Sequence, residues 1–273
     1  MKLREFLDHR VPMREIIVGH YPSFKRLALA GEPNGVLVRH RWVVNYSPDM
    51  RFYEGDISYP PRPDSIDSHV EGNAQSVPPT FQRLFVVNSR STDPRVTAIP
   101  VGVYSNSRAW RFALARIGTS RRELAYCNFS IGAAFQPWYM KKRLRVYSDL
   151  RRRDWITFES MGTGHGEHDL GRLAYYRRVG EHRFTISPEG NGADCHRTWE
   201  ALYLKSIPIV QRSREMAHFE DLPILFTDDY SELTPEYLDE QYERMLETDY
   251  AIEKLYLSHW RDELKAEVAR HRP

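Results

Sequence analysis

The 273 residues of this sequence are 41% hydrophobic and 28% charged, the proportions of an ordinary water-soluble globular protein. A net charge of +2 gives no general attraction to nucleic acid, and no run of about 18 apolar residues could cross a membrane. The charged N-terminus lacks the apolar segment of a secretory signal, so we expect a cytoplasmic protein. Cys127 and Cys195 have no metal-binding or disulfide spacing, and we expect two free thiols.

Short apolar runs alternate with helical stretches along most of the chain. The runs that predict strands are Ile16–Val18, Val36–Val38, Phe85–Val87, Thr97–Val103, Leu124–Phe129, Trp155–Phe158, Phe184–Ser187, Ile207–Val210 and Ile224–Phe226. Helices are predicted over 138–152, 170–179, 194–205 and 235–247. Strands that alternate with helices favour β-α-β units, so the predicted fold class is α/β with parallel sheets.

A change in composition over 105–120 predicts a domain boundary. We expect an N-terminal domain over 1–118, a second domain over 119–250, and a C-terminal helix over 251–273. This helix has one apolar stripe and is predicted to pack back on the N-terminal domain. Its apolar residues are Ile252, Leu255, Tyr256, Trp260, Leu264 and Val268. The segment 57–80 is dense in Pro, Ser, Asp and Gly and predicts a long loop.

Residues 182–213 hold the most informative pattern in the sequence. A predicted strand leads into a loop with Gly190 and Gly192, and a helix follows over His196–Leu204, with Asp194 expected as its N-cap. Backbone amides and the positive end of a helix dipole meet at such a loop, which indicates an anion-binding site. The glycine spacing is neither that of a dinucleotide-binding fold nor that of a P-loop.

The predicted helix places His196, Arg197 and Glu200 on one face, at about 100° per residue. Arg197 in the first turn can pair with a diphosphate, and Glu200 can accept hydrogen bonds from two vicinal ribose hydroxyls. Leu202 and Trp199 lie on the opposite side and are expected to anchor the helix in the core. The alternative is that Arg197 and Glu200 form an ordinary surface ion pair at spacing i, i+3.

The string FTISPEGNGADCHRTWEALYLKSIPIV resembles the donor-binding motif of exostosin-like glycosyltransferases. The turn at Pro188–Gly190, Arg197, the Trp199–Leu202 helix and the Ile207–Val210 strand match that motif. Lys205 stands where the family usually has a glycine before the strand. Residues 221–233 are also similar to the family's closing strand and helix entry.

A second resemblance covers residues 124–150. Related microbial and viral exostosin-like proteins have an Asn-Phe-Ser turn followed by an Arg-x-x-Val helix, matched here by Asn128 to Ser130 and by Arg143 with Val146. In the N-terminal half, residues 86–103 are similar to the acceptor-domain strand, loop and Ile-Pro-x-Gly strand of these proteins.

The resemblance implies a GT-B architecture, in which two Rossmann-like domains with parallel sheets face a cleft. It implies inverting transfer of a sugar from a nucleotide-sugar, most readily a UDP- or GDP-sugar, to a hydroxyl of a glycan or another acceptor. A nucleic acid is a less expected acceptor. No cofactor is expected, and the sequence lacks the D-x-D motif of metal-dependent transferases. The predicted donor site consists of Asn128, Ser130, Arg143, Ser187, Glu189, Gly190, Asn191, Gly192, Asp194, His196, Arg197 and Glu200.

The catalytic base is predicted in the N-terminal half, as Asp67 or Glu71 ahead of His20, because strand ends and long loops supply cleft residues in α/β folds. Two alternatives remain open at this point. One is a non-catalytic carbohydrate- or nucleotide-binding module with the same fold. The other is a zinc site built on His165 and His168, although the surrounding glycines favour a loop.

Overall fold

The computed structural model describes residues 1–18, 36–40, 42–43, 83–89, 92–104, 107–116, 118, 121–131, 137–160, 169–190 and 192–270. Within these ranges the chain has an α/β fold with seven α-helices and two β-sheets. It divides into two compact units with one sheet each, which we name the four-strand unit and the five-strand unit.

The four-strand unit comprises Arg14–Val103 and Glu253–Pro273. Its strands are β1 (Val36–His40), β2 (Trp42–Val43), β3 (Arg83–Val86) and β4 (Val96–Ala98), in the order β2-β1-β3-β4. Strands β1, β3 and β4 are parallel, whereas β2 pairs antiparallel with β1. The antiparallel strand was not predicted; strands this close in sequence can pair only in this way, because parallel pairing needs a crossover of a dozen residues or more.

Gly102 ends the Ile-Pro-x-Gly segment of the four-strand unit and has a left-handed backbone, with φ of 70°. A Cβ atom at this position would collide with the backbone carbonyl of Ile17. That carbonyl accepts a hydrogen bond from the amide of Val103 at 2.9 Å, and Val18 forms an isolated parallel bridge with Val103. The run Ile16–Val18 therefore forms a single bridge rather than the predicted strand. Only glycine fits at position 102, next to the carbonyl of Ile17.

The C-terminal helix begins at Leu257, six residues later than predicted, and ends at Arg270 within the same unit. Leu255, Trp260 and Leu264 are at most 6% exposed. The amide of Ser258 in the first turn donates to Glu15 Oε2 at 2.9 Å. A carboxylate there satisfies an amide that has no partner within the helix.

The five-strand unit comprises Met1–Met13 and Tyr104–Ile252. Its helices are α1 (Leu3–Asp8), α2 (Arg108–Ala115), α3 (Pro137–Leu150), α4 (Asp169–Glu181), α5 (His196–Tyr203) and α6 (Pro235–Leu246). Its strands are β5 (Glu123–Phe129), β6 (Ile156–Ser160), β7 (His182–Ile186), β8 (Ile207–Gln211) and β9 (Leu225–Thr227). All five strands are parallel, in the Rossmann-like order β6-β5-β7-β8-β9. The C-terminal helix of the chain is α7.

The central strands are apolar because helices cover both faces of a parallel sheet. Phe184 and Ile186 of β7 and Ile209 of β8 are fully buried. Trp199 of α5 is also fully buried and meets Phe219 edge to face, with 5.0 Å between ring centroids. The sequence prediction that Trp199 and Leu202 anchor α5 is confirmed, since Leu202 is 1% exposed.

The predicted α/β class is confirmed, and the predicted strands of the five-strand unit all form within a few residues of their expected bounds. The domain limits were predicted at 118 and 250. The two units instead divide the chain at 13, 103 and 252, so that residues 104–118 lie with the five-strand sheet. Among the described residues, no helix is both long and apolar enough to cross a membrane.

Candidate functional site

The order of the five parallel strands marks one place where a ligand can enter. From β5 the chain crosses to the edge strand β6, and from β7 it continues in the opposite direction to β8 and β9. In open α/β sheets, the carboxyl ends of the two strands at such a reversal of strand order are where ligands generally bind. Ser130 directly follows β5, and the glycine loop from Ser187 follows β7.

The loop between β7 and α5 is held to the sheet at its start and closes on itself at its tip. The amide of Ser187 donates to the carbonyl of Ile209 at 2.8 Å, and the amide of Gly190 donates to the carbonyl of Gly192 at 2.9 Å. A Cβ atom on Gly190 would lie 3.2 Å from Nη2 of Arg143. The glycine thus lets a guanidinium group approach the backbone of the loop closely.

Arg143 of α3 is 6% exposed and joins the ends of the two central strands. Its Nε donates to the carbonyl of Glu189 at 2.8 Å, and its Nη1 donates to the carbonyl of Ser130. Burial, together with the positive charge of Arg197, lowers the pKa of the Arg143 guanidinium to about 10. The two guanidinium groups therefore lie near enough to repel each other.

Arg197 in the first turn of α5 is partly buried, and its Nη1 donates to the carbonyl of Pro188 at 3.3 Å. Within the described part of the chain, neither Arg197 nor Arg143 forms an ion pair with a carboxylate. Lys142 differs, because its ammonium lies 2.6 Å from Glu189 Oε2. A buried and a partly buried cation near the positive end of a helix make a site that is suited to an anion.

Glu200 lies one turn further along α5 and is 6% exposed. Its Oε1 accepts a hydrogen bond from the amide of Tyr104 at 3.4 Å, and its Oε2 accepts one from the hydroxyl of Tyr175 at 3.2 Å. Burial raises the pKa of the Glu200 carboxyl above its ordinary value. Because Glu200 is buried and forms no ion pair with Arg197 among the described residues, the alternative of a surface ion pair is wrong.

Tyr104 extends the site beyond Glu200. Its ring meets the ring of His196 edge to face at 5.4 Å, and the guanidinium of Arg172 lies 5.0 Å from its centroid. His196 therefore lies on the side of α5 that carries Glu200, as predicted. Tyr104, Arg172 and Tyr175 were not predicted, since nothing local in the sequence distinguishes them from other aromatic and basic residues.

Two of the predicted donor-binding residues, Asp194 and Ser187, form hydrogen bonds with helix α5 or its N-cap. Asp194 was expected to cap α5, but the N-cap is Cys195, and Asp194 Oδ1 accepts a hydrogen bond from the indole of Trp199 at 2.5 Å. The N-cap prediction was wrong because the buried indole N–H takes this carboxylate. The hydroxyl of Ser187 lies 3.0 Å from the hydroxyl of Thr198 and 3.4 Å from the Cys195 thiol. Cys195 and the buried Cys127 are both free, as predicted.

Asn128 is the last predicted residue on the sheet itself, and it is 5% exposed. Its Nδ2 donates to the hydroxyl of Tyr126 at 2.8 Å, and that hydroxyl donates to Glu159 Oε2 at 2.7 Å. Within the described residues, Oδ1 of Asn128 is buried and has no hydrogen-bond partner. A buried amide oxygen of this kind calls for a ligand or water to satisfy it.

The structure thus brings Asn128, Ser130, Arg143, Glu189, Gly190, Gly192, His196, Arg197 and Glu200 to the carboxyl ends of β5 and β7 or the helix beside them. Asn191 and the predicted catalytic residues Asp67, Glu71 and His20 lie outside the described residues. His165 and His168 of the alternative zinc site lie outside them as well. Among the residues that are described, no group of three or more His, Cys, Asp or Glu side chains is placed to hold a metal ion.

No protein-family model matches this sequence, and no curated protein matches it either.

Proposed function

We propose that this protein is a glycosyltransferase that transfers a sugar from a nucleoside-diphosphate sugar to an acceptor hydroxyl. The observation that carries the proposal is that the guanidinium groups of the buried Arg143 and the partly buried Arg197 form no ion pair within 4.0 Å among the described residues, and that the buried Glu200 lies one turn further along α5. Two cations suit a diphosphate, and a nearby carboxylate suits a ribose diol.

The proposed roles follow from the donors and acceptors of each side chain. Arg143 uses Nε and Nη1 on backbone carbonyls, which leaves Nη2 beside Gly190 for a phosphate oxygen. Arg197 holds Pro188 through one Nη1 contact and keeps its other N–H groups for the same diphosphate. Each carboxylate oxygen of Glu200 accepts one long hydrogen bond and has further lone pairs for hydroxyl donors.

The same groups supply the electrostatic part of the proposed reaction. As the sugar leaves, negative charge develops on the diphosphate, and fixed guanidinium groups with a helix N-terminus stabilise it without rearranging. We propose inverting transfer in a GT-B architecture, as the exostosin-like resemblance implies. The base that deprotonates the acceptor hydroxyl is proposed as Asp67, Glu71 or His20.

Nucleotide binding by purified protein is the first test. A thermal-shift screen across UDP-, GDP-, TDP- and CMP-sugars identifies the donor, and calorimetry with the best nucleotide then measures Kd. Arg197→Ala and Glu200→Ala should each weaken binding by about a hundredfold or more, because each removes charge-assisted hydrogen bonds from a buried site. Arg145→Ala is the matched control, since Arg145 lies on α3 beside Arg143 but is exposed and pairs with Asp229.

Turnover is the second test. The proposal predicts release of free nucleotide from the donor, slowly with water and faster with an acceptor sugar. Tight nucleotide binding without any release would favour the non-catalytic binding module. If no nucleotide raises the melting temperature, and both site variants behave like the Arg145→Ala control, the proposed function is wrong.

A further inference from the structure

The buried amide of Asn128 is held in one orientation by its neighbours. Tyr126 has a single phenolic proton, and that proton goes to Glu159, whose carboxylate only accepts and is paired with Arg178 at 3.2 Å. The phenolic oxygen can then only accept, so the group of Asn128 that faces it must be the NH2. Burial and the hydrogen bond to Glu159 raise the pKa of Tyr126, which keeps the phenol protonated.

This orientation leaves Oδ1 of Asn128 as a buried acceptor with no partner among the described residues. Its position indicates which part of a ligand it would meet. Asn128 and Tyr126 lie on the same face of β5, since side chains two residues apart on a strand share a face. The ring of Tyr126 lies 6.1 Å from the ring of Tyr175, whose hydroxyl donates to Glu200. Asn128 thus lies on the Glu200 side of the site.

We propose that Asn128 is a specificity-determining residue whose Oδ1 accepts a hydrogen bond from a hydroxyl or base N–H of the bound nucleoside, and that Tyr126 and Glu159 are positioning residues that fix its amide. This inference rests on the proposed donor site. It assigns to the ligand a hydrogen-bond donor at the end of β5, in addition to the phosphates on the arginines. A site with a buried acceptor rejects an analogue that lacks the matching donor, because the acceptor is then left unsatisfied.

The first experiment compares UDP and GDP with analogues that each lack one hydrogen-bond donor: the 2′-deoxy, 3′-deoxy and base-N-methyl forms. Both deoxy forms also lose a hydrogen bond to Glu200, so the contribution of Asn128 is the part of each loss that is absent in Asn128→Leu. This part should be about tenfold for one analogue, an energy of about 1.4 kcal/mol. We call the analogue that shows this loss the failing analogue. Its identity shows whether the ligand donates to Asn128 from a ribose hydroxyl or from a base N–H. In Asn128→Leu the parent should weaken about tenfold while that analogue changes little, so the difference between them should shrink by the same factor.

The second experiment tests the positioning residues by comparing the affinities of two ligands. General structural damage would weaken the binding of both ligands equally. Tyr126→Phe removes the acceptor of the Asn128 NH2, so it should weaken the parent about tenfold while changing the failing analogue little. Tyr242→Phe is the matched control, because the Tyr242 ring packs on Phe184 elsewhere in the same unit. It should weaken neither ligand.

Glu159→Gln gives a sharper form of the test. Arg178 only donates, so it should hold Oε1 of the new glutamine and direct its NH2 toward Tyr126. The phenol would then donate to Asn128 and turn the amide, so that Asn128 presents N–H groups to the ligand. The failing analogue should consequently bind as well as the parent or better. Glu181→Gln, which alters the other ion pair of Arg178 at 3.6 Å, should leave the preference unchanged.

The outcomes separate this inference from the proposed function. If neither UDP nor GDP nor any analogue binds wild-type protein, the donor site and this inference both fail. If nucleotides bind and Arg197→Ala abolishes the binding, the donor site stands. In that case the role of Asn128 alone would be overturned by losses of affinity that are the same in wild-type protein and Asn128→Leu for every analogue, or by equal weakening of parent and analogue in Tyr126→Phe.

Discussion

Buried or partly buried cations lie at both ends of helix α5, and the two ends accommodate them by different means. At the N-terminal end, the hydrogen bonds of Arg143 and Arg197 among the described residues go to backbone carbonyls. At the C-terminal end, the Nζ of Lys205 lies 3.4 Å from the centroid of the Phe6 ring, and Nε of Arg121 donates to the carbonyl of Lys205. Both pairs reside within the five-strand unit.

The direction of the helix dipole makes the electrostatic energy of the cations different at the two ends. Cations at a helix C-terminus face partial negative charge, whereas cations at an N-terminus face partial positive charge. The C-terminal pair therefore gains from the helix, and the ring face of Phe6 adds a further attraction. The N-terminal pair gains nothing from the helix dipole, and an anion bound there would interact favourably with both guanidinium groups. The two ends of α5 thus differ in the sign of the helix charge that their cations face, and the proposed anion site lies at the N-terminal end.

Lys205 occupies the position where exostosin-like glycosyltransferases, which this sequence resembles, usually have a glycine. Its φ of 67° is left-handed, and the helix ends in a Schellman motif around it. The amide of Ser206 donates to the carbonyl of Ala201 at 2.9 Å, and the amide of Lys205 donates to the carbonyl of Leu202 at 3.1 Å. A glycine would adopt this backbone without strain, but it would leave the space beside Phe6 empty.

The largest expected difference between the two ends is in anion binding. Arg143→Met should weaken nucleotide binding by about a hundredfold or more, because it removes a desolvated charge from the diphosphate site. Arg121→Met should change Kd by less than about twofold while lowering the melting temperature, since the carbonyl of Lys205 loses its donor. Calorimetry and thermal unfolding of both variants check this contrast. Equal losses of affinity in the two variants would contradict it.

The second prediction concerns the pH dependence of stability at the C-terminal end. Burial, with the charge of Arg121, lowers the pKa of Lys205 from 10.5 to about 7 in the folded protein. Between these two pH values the unfolded chain binds more protons, so wild-type stability should rise with pH through this window. Lys205→Met keeps the volume without the charge, and should be more stable by about 2 kcal/mol at pH 6.

Urea unfolding of Lys205→Met from pH 6 to pH 10 measures this effect. The advantage of the variant should be greatest below pH 7 and should shrink as the pH rises toward 10.5, where the lysine is neutral in both states. Lys265→Met, on the exposed side of α7, should show no such trend. A constant difference across this pH range would show that the buried ammonium carries no cost.

The third prediction tests what holds the middle of α5 between its two ends. Asp194→Ala leaves the fully buried indole N–H of Trp199 without its acceptor, and should lower the free energy of unfolding by about 1.5 kcal/mol. Asp239→Ala, which removes an exposed pair with Arg183, should cost less than about 0.5 kcal/mol. Urea unfolding of both variants provides the comparison. A larger loss of nucleotide affinity than of stability in Asp194→Ala would instead place Asp194 in the donor site.

The smallest expected effect is the change of nucleotide affinity with pH that protonation of the Glu200 carboxylate would cause. Its pKa is raised by burial, so the carboxylate is lost at a higher pH than for an exposed glutamate as the solution is acidified. Affinity should fall about tenfold on acidification through this raised pKa, since a protonated carboxyl accepts fewer hydroxyl hydrogen bonds. Glu200→Gln should bind weakly at every pH and supplies the correction for titration of the nucleotide itself. Parallel pH profiles of the two proteins would exclude the ribose-binding role.

Local sequence patterns were sufficient to predict the helices and strands of the five-strand unit, but not the contacts among them. The apolar runs of β5, β7 and β8 and the periodicity of α5 are encoded within a few residues of each position, and the strands form where predicted. The N-cap of α5 was not predictable in the same way. Asp194 is a good cap by type, but the indole of Trp199 competes for it, and that competition depends on the packing of the helix.

By itself, the sequence determined the α/β class, the glycine loop before α5, and the placement of Arg197 and Glu200 on one helix. These features depend on spacing along the chain and on propensities that act locally. Only the tertiary structure decided that Arg143 reaches the loop after β7, that Tyr104 and Tyr175 hold Glu200, and that Glu159 orients Asn128 through Tyr126. Each of these contacts joins residues far apart in sequence, so it depends on the order in which the strands assemble.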